Sequence, residues 1–297
     1  MRASVGCVPI VWNNADLPDL APTVAYGEIL DTYVRLGCEG TQHGRGFPEG
    51  EALAAELRRR GLRFAELYSA LPSTPAGLAD DAEAVARRDL DRLVAAGGEV
   101  LCVALDGTPE RDAVAGRVHA LPDAPRWPDG AFGELAGLLD RLEVAAPPSV
   151  RVVFHPHTAT WIEAPQEVER LAANLDGTGA GLCLDVGHYL VGGGDPVEAI
   201  GRYGSLVTHV HAKDVDPAVL ARLRDGEIAG FGDAVRERLF TELGNGALDL
   251  AGVIAELDEI GFAGWIMVEQ DSSWLPPVEA AGIGQRAVAD AMAAVTA

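Results

Sequence analysis

The amino-acid sequence predicts a single (β/α)8 barrel of the TIM type that spans residues 1–297. Short runs of β-forming residues alternate with longer segments of helical periodicity, which is typical of parallel strands joined by crossover helices. There are eight such runs, the number that closes this barrel. The composition agrees, because 48% of the residues are hydrophobic and only 6% are aromatic, and aliphatic side chains fill the interior of such barrels.

The predicted strands are short β-forming runs that lie between turn signals. They cover residues 4–10, 38–42, 63–68, 100–105, 150–155, 181–185, 206–211 and 265–269. The helices between them are predicted at residues 26–36, 51–60, 80–96, 133–144, 165–174 and 250–260. Several helices precede a glycine that can adopt the left-handed conformation and end a helix, as at Gly37, Gly61 and Gly261.

Two connections are longer than the others, at residues 13–23 and 213–247. Both follow a strand, so both are expected at the C-terminal face of the barrel, where barrel enzymes build their active sites. The second connection contains a helical stretch at residues 217–240. We interpret it as a rim or lid insertion within the single domain.

Charge and cysteine content exclude several classes of partner. The formal charge of −22, from 45 acidic and 23 basic residues, repels nucleic acids and anionic membranes and is typical of a solubility device. No segment resembles a signal peptide, and no apolar run approaches the ~18 residues of a membrane helix. The cysteines lack a C-x-x-C pair and are expected as small buried residues in a reducing cytoplasm. They are Cys7, Cys38, Cys102 and Cys183.

Each of the last four predicted strands ends in a potential metal ligand. A lone histidine at such a place is more often structural, and a lone aspartate is often a helix N-cap. Here, however, five of the seven histidines fall at the ends of three consecutive strands. Neighbouring strand ends lie about 5 Å apart, so inward-facing groups can meet at one ion. The expected ligands are His155, Asp185, His211 and Glu269, with His157 as the alternative to the first.

A ligand set of imidazoles and carboxylates suits a divalent transition metal better than calcium or an all-oxygen magnesium site. We expect one such ion, with Mn²⁺ or Co²⁺ preferred and Zn²⁺ or Fe²⁺ as alternatives. Three further residues are expected to act on the substrate. His188 follows Asp185 and is suited to substrate contact or proton transfer, and Lys213 shares a face with His211 and either binds substrate oxygens or pairs with a neighbouring carboxylate. His157 shares a face with His155 and is the third.

The run Trp12-Asn13-Asn14 follows the first predicted strand. An apolar ring beside two amides suits the binding of a polyol ring. Trp12 can equally be a core or interface residue. Both interpretations stay open at the level of the sequence.

With these residues in view, the chain resembles the xylose isomerase-like barrel superfamily of sugar isomerases, epimerases and dehydratases, and within it the myo-inosose-2 dehydratases. The similarity spans nearly the whole chain and includes the first loop at residues 12–20. It also includes Gly40-Thr41-Gln42 with Phe47-Pro48, Leu67-Tyr68-Ser69, His155-Pro156-His157, Asp185-Val186-Gly187-His188, His209-Val210-His211-Ala212-Lys213-Asp214 and residues 240–249. The resemblance implies a small polyol or keto-sugar substrate bound near Trp12, Asn13, Asn14, Gln42, Glu66 and Tyr68.

Several positions depart from the pattern of the dehydratases. Thr158-Ala159-Thr160 stands where Met-Gly-Thr is expected, Glu66 replaces a small residue, and Asp216 stands where a basic residue is common. These departures lie near the expected substrate, so the resemblance implies the metal more firmly than the substrate. Epimerases of the superfamily usually carry a glutamate where this chain has His155, which argues against an epimerase with two carboxylates.

The resemblance implies a dehydratase of inositol catabolism that acts on an inosose. A metal acting as a Lewis acid makes the C–H beside a ring ketone acidic. His157 or His188 then removes the proton to give an enediolate, and His188 or Lys213 helps the β-hydroxyl to leave as water. The alternatives are a ketose isomerase or epimerase that uses the same enediolate, and an inactive barrel that serves as a binding subunit. A related three-zinc DNA-repair endonuclease needs a basic groove, which the charge excludes. A homo-oligomer is expected.

Overall fold

Eight parallel strands form a closed barrel in which each strand pairs with its neighbours in chain order. The structure is a computed structural model that describes residues 2–20 and 23–296, so residues 21 and 22 of the first long connection lie outside the described residues. The strands are β1 (Ser4–Cys7), β2 (Gly40–Gln42), β3 (Arg63–Leu71), β4 (Val100–Leu105), β5 (Arg151–Phe154), β6 (Gly181–Asp185), β7 (Val207–Ala212) and β8 (Trp265–Val268). The predicted fold class is confirmed.

Helices alternate with the strands along the chain, as the sequence pattern predicts. They are Tyr26–Leu36, Gly50–Arg60, Ala82–Ala95, Pro109–Asp112, Asp129–Ala145, Pro165–Leu175, Val186–Val191, Pro196–Tyr203, Pro217–Arg224, Phe231–Arg236, Leu250–Glu259 and Pro277–Thr296. Gly37 and Gly61 end the first two in the left-handed conformation, with φ of 76° and 70°. None of the described helices combines the length and the apolar composition that crossing a membrane requires.

The first strand is shorter than predicted. It ends at Cys7 and is followed by a 3₁₀ turn, Pro9–Val11, instead of continuing to residue 10. Proline has no backbone N–H, so Pro9 cannot extend the hydrogen-bond ladder. The helix predicted at 133–144 begins earlier, at Asp129, because Pro128 in an extended conformation immediately precedes it.

The barrel interior is packed with small and medium apolar side chains from alternate strand positions. Val100, Cys102, Val153, Cys183 and Met267 are all buried and belong to one cluster. This agrees with the layered packing expected of a parallel barrel. The four cysteines are buried and free, as predicted.

The connection at residues 213–247 forms a small unit of its own on the rim of the barrel. Two short strands, Asp214–Val215 and Phe240–Thr241, pair antiparallel and enclose two of the helices. Asp214 fixes the base of this unit, because its carboxylate accepts backbone N–H groups of Val215, Gly244, Gly246 and Leu248. A side chain at Gly246 would collide with Asp214. Whether this unit acts as a lid stays a prediction.

A buried ion pair joins the segments that follow β4 and β5. Arg111 is 0% exposed and donates from Nη1 and Nη2 to the two carboxylate oxygens of Glu167, each at 2.7 Å. Glu167 also accepts the backbone N–H groups of Glu163 and Ala164 at 3.0 Å. The pair therefore holds the loop that leaves β5 against the loop that leaves β4.

Replacing Glu167 with glutamine is expected to lower the free energy of unfolding by about 3–5 kcal/mol, because the Arg111 guanidinium would stay buried without a countercharge. Urea-induced unfolding measures the change. Glu169→Gln on the same helix is the matched control, since its pair with Arg202 is exposed and 3.9 Å long, and a change of about 0.5 kcal/mol at most is expected there. Equal unfolding midpoints for the two variants would contradict the expectation.

Candidate active site

The C-terminal ends of four neighbouring strands bring the predicted metal ligands together. Each of His155, Asp185, His211 and Glu269 offers a ligand atom, and these atoms all lie within 4.8 Å of one another. Ladder pairing explains part of this convergence, because Asp185 in β6 is the register partner of His211 in β7. Asp185 also caps the helix that follows it, accepting the N–H of His188 at 2.7 Å through Oδ1, which leaves Oδ2 for the group.

The geometry of the group fits a cation. His211 Nδ1 lies 2.6 Å from Glu269 Oε2 and 3.8 Å from Asp185 Oδ2, and His155 Nε2 lies 3.5 Å from the same Asp185 oxygen. These atoms of Asp185, His211 and Glu269 are buried, yet none has a hydrogen bond of acceptable geometry among the described residues. Buried polar atoms are normally satisfied. A divalent ion bound among these three atoms would give each of them a partner.

Lys213 lies within the same group of acidic side chains. Its Nζ is 3.0 Å from Asp271 Oδ2, 3.1 Å from Glu269 Oε1 and 3.4 Å from Asp185 Oδ2. Burial lowers the pKa of Lys213, but the surrounding carboxylates outweigh burial and raise its pKa above the ordinary value, so the amine is charged. It is also the single lysine in the sequence, where every other basic residue apart from histidine is an arginine. The ammonium pairs with several carboxylates at once, so both alternatives left open for it by the sequence remain compatible with its position.

His188 lies behind Lys213 and is almost fully buried. Burial, together with the positive charge of Lys213 and the neighbouring His157 ring, lowers the pKa of His188 well below its ordinary value, so the ring is neutral. Lys213 Nζ is 3.2 Å from His188 Nε2, and Thr158 Oγ1 is 2.8 Å from His188 Nδ1. Because an ammonium only donates, Nε2 accepts the hydrogen bond from Lys213, and Nδ1 also faces the backbone N–H of Thr158 at 3.3 Å.

His157 is half-buried and faces the mouth of the barrel. Its Nδ1 is 2.7 Å from the carbonyl oxygen of Thr158, which only accepts, so the proton lies on Nδ1 and the lone pair on Nε2. Burial, with the nearby His155 and Lys213, lowers the pKa of His157 to about 3. A neutral imidazole with a free lone pair therefore faces the substrate space.

Two cavities meet at this mouth. The first has a volume of about 100 Å³. Six residues that the sequence predicts for the site line it: Asn13, Gln42, Tyr68, His155, His157 and Glu269. The second, of about 530 Å³, shares Asp16, Tyr68 and His157 with the first and extends toward Phe231. Phe231 packs edge-on against His157, with ring centroids 5.4 Å apart. The ligand group thus opens into a space large enough for a small ring.

Three residues expected to contact the substrate have other partners in the structure. Trp12 is 3% exposed and packs against Tyr33, with ring centroids 5.4 Å apart, so it belongs to the core. The Asn13 amide is occupied by backbone groups of residues 24 and 45. The Asn14 amide binds backbone groups of residues 16, 17 and 271. Asparagine side chains compete readily for nearby backbone groups, so both of these amides shape the first loop.

Glu66 differs from its predicted position as well. It is 0% exposed and does not line the mouth, whereas Tyr68 in the same strand does. The physical reason is the strand period, because two residues back along a strand places a side chain on the same face but about 7 Å deeper. Glu66 therefore lies beneath the ligand group and contacts His209 and His211.

Sequence reasoning did not assign Asp271, Asp16, His43 or Arg45, all of which line the mouth. The strand period that predicted Lys213 could also have predicted Asp271, because Asp271 follows Glu269 by two residues and so shares its face. Burial raises the pKa of Asp271 to about 7, although Lys213 opposes the shift. The other three lie on loops, whose course the strand pattern does not determine.

Comparisons with known proteins identify the family of the chain. The profile of the xylose isomerase-like TIM barrel family matches residues 30–291. An inosose dehydratase of Clostridium botulinum (strain Eklund 17B / Type B) is 28% identical over 295 residues, 96% of this chain and 96% of the relative. An inosose dehydratase of Lacticaseibacillus casei is 30% identical over 284 residues, 94% of each chain.

Solved structures with the same fold are more distant in sequence. An L-ribulose 3-epimerase superposes with a TM-score of 0.72 at 15% identity, covering 99% of this chain and 96% of the epimerase. The IOLI protein, solved with a bound zinc atom, gives a TM-score of 0.68 at 15% identity, covering 98% of this chain and 99% of that one. From the profile match and the relatives of nearly equal length, the chain belongs to the xylose isomerase-like TIM barrel family and is an inosose dehydratase-like enzyme.

Proposed function

We propose that this chain removes water from an inosose, a cyclic polyol ketone, as a carbon–oxygen lyase of inositol catabolism. The observation that carries the proposal is the convergence of four strand-end ligands beneath a small mouth, in a chain similar over nearly its whole length to inosose dehydratases. The native substrate of those relatives is a small cyclic ketone, which matches the size of the space at the mouth.

His155, Asp185, His211 and Glu269 would hold one divalent ion of the transition series, with Mn²⁺ or Co²⁺ preferred and Zn²⁺ or Fe²⁺ as alternatives. Such an ion supplies Lewis-acid chemistry that stabilises negative charge on a ketone oxygen. The charges of the protein support a cation at this position. Lys213 faces the three carboxylates of Asp185, Glu269 and Asp271, and buried negative charge without compensation is costly.

His157 is the proposed base. It lines the mouth, and the hydrogen bond from Nδ1 to the Thr158 carbonyl holds its ring and leaves the lone pair on Nε2. In the first step this nitrogen takes the proton from the carbon beside the ketone, and the electron pair of the broken C–H bond forms the enediolate. His188 assists by packing against His157, with ring centroids 3.8 Å apart.

Lys213 is the proposed acid. When the electron pair of the enediolate forms the new carbon–carbon double bond, the C–O bond to the β-hydroxyl breaks, and Lys213 donates the proton that turns the hydroxide into water. The resulting enol relaxes to a 1,2-dione. The carboxylates of Asp185, Glu269 and Asp271 hold the ammonium in place. Substrate and product differ by one water, and no oxidant or reductant is needed.

The alternative function is a ketose isomerase or epimerase. The same fold occurs in an L-ribulose 3-epimerase. Both reactions begin by removal of the same proton, and they differ in whether the β-hydroxyl departs. A binding subunit without activity is the third candidate, and it requires no bound metal. Cytoplasmic location, a homo-oligomeric state and the lid role of residues 213–247 stay predictions.

Incubating the chain, loaded with Mn²⁺ or Co²⁺, with 2-keto-myo-inositol is expected to produce the ultraviolet absorbance of an enolic dione. The reason is that loss of the β-hydroxyl leaves a conjugated enol. Absorbance and product mass are the measurements, and the metal-free chain is the control. Absence of the dione, together with isomerisation or epimerisation of a free ketose, would replace the proposal with the alternative.

Asp185→Asn is expected to abolish stoichiometric binding of the divalent ion, because asparagine keeps the helix cap but loses the carboxylate charge. Elemental analysis after dialysis against Mn²⁺ measures it, and chelation should lower the thermal stability of the unaltered chain but not of the variant. Asp195→Asn is the matched control, since Asp195 caps the helix Pro196–Tyr203 on the surface. Equal metal content in both variants would exclude Asp185 as a ligand.

Lys213→Met is expected to lower kcat by about 10²–10⁴-fold while the ion is retained, because the variant loses the proton donor but no ligand. Steady-state kinetics on 2-keto-myo-inositol and elemental analysis are the measurements. Arg59→Met, which removes an exposed cation, is the control and should leave kcat unchanged. Turnover of Lys213→Met within a few-fold of the unaltered chain would remove the lysine from the mechanism.

A further inference from the structure

We propose that Glu66 is a positioning residue whose carboxylate fixes the ring of His211 so that Nδ1 faces the metal position. This inference rests on the proposed function, because it requires a cation among Asp185, His211 and Glu269. It gives a role to a fully buried carboxylate that neither the proposed mechanism nor the mouth cavity uses.

The hydrogen bonds of Glu66 determine the tautomer of His211. Glu66 Oε2 lies 2.7 Å from His209 Nε2 and 3.0 Å from His211 Nε2. An ionised carboxylate only accepts hydrogen bonds, so both of these nitrogens carry a proton. With its Nε2 proton held by Glu66, His211 can offer only Nδ1 to an ion, and Nδ1 is the atom that lies 2.6 Å from Glu269 Oε2. The contact with Glu66 therefore selects the tautomer that a metal ligand needs.

The position of Glu66 also restrains the His211 ring mechanically. Glu66 is in β3 and His211 is in β7, on opposite sides of the barrel lumen, so the hydrogen bond spans the interior. His209, on the same face of β7 and one strand period deeper, shares the carboxylate oxygen. With one end of the ring bound to Glu66, His211 cannot turn away from Asp185 without leaving a buried N–H unpaired.

A second metal ion shared by Glu66, His209 and His211 is the competing interpretation. The two contacts of 2.7 and 3.0 Å are ordinary hydrogen-bond lengths, so the contacts are satisfied without an ion. A purely structural role explains the position less well. The second oxygen of Glu66, Oε1, is buried without a partner among the described residues, which is a cost that an apolar residue of similar size would avoid.

The test compares Co²⁺ affinity of the full chain in three variants, with the absorption spectrum of the bound ion as the readout. Glu66→Leu removes the acceptor, and its dissociation constant for Co²⁺ should rise by roughly 10–100-fold. Glu66→Gln keeps an oxygen that can accept both N–H groups, so its constant should rise less. Glu163→Gln is the matched control, because Glu163 is also fully buried but binds backbone N–H groups of residues 116 and 159 and should leave Co²⁺ affinity unchanged.

A measurement on the unaltered chain keeps the inference testable if Glu66→Leu does not fold. In the Zn²⁺-loaded chain with ¹⁵N-labelled histidine, the nitrogen chemical shifts should show His211 bound through Nδ1 and protonated on Nε2. Binding through Nε2, or Co²⁺ affinity in Glu66→Leu equal to that of Glu163→Gln, would overturn the inference. Failure of the unaltered chain to bind Co²⁺ or Zn²⁺ at all is a different result, and it would instead contradict the metal site of the proposed function.

Discussion

Closure of a parallel barrel is the constraint on which the candidate site depends. Because all eight strands run the same way around a closed ladder, their C-terminal ends meet at one rim. The ladder places Asp185 beside His211, and Met267, two residues before Glu269, is also a register partner of His211. A register slip of one residue in β7 would turn His211 away from the lumen, so the site is as firmly determined as the strand pairing.

The chemistry at this rim is an imbalance of buried charge. Carboxylates surround the single lysine of the chain, and the lysine compensates only part of their charge. Buried charge of this kind is costly to a barrel alone, and a bound cation would offset that cost. The ligand atoms of Asp185, His211 and Glu269 are buried without hydrogen-bond partners among the described residues, which agrees with this excess of negative charge. Directly below these atoms the barrel interior is still polar, because Glu66 contacts His211 there.

Loops decide how this charged centre meets a substrate. The Asn14 amide holds the first loop to the strand-eight loop through the carbonyl of Asp271, and Asp214 secures the base of the rim unit at residues 213–247. Arg236 in that unit pairs with Asp19 in the first loop at 2.7 Å, so the two long connections contact each other across the mouth. These contacts therefore join the loops that form the walls of the mouth.

The sequence by itself determined the fold class, most element boundaries and the residues that could meet at the rim. These follow from local rules: the period of apolar residues, the glycines after helices, and polar groups where apolar strands stop. The tertiary structure alone decided the assignments that depend on contacts between distant segments. Glu66 contacts His209 across 143 positions of sequence, Trp12 packs in the core, and the Asn13 amide is hydrogen-bonded to backbone groups. The physical reason is that strand periodicity gives the face of a side chain but not the partner it contacts on a distant segment.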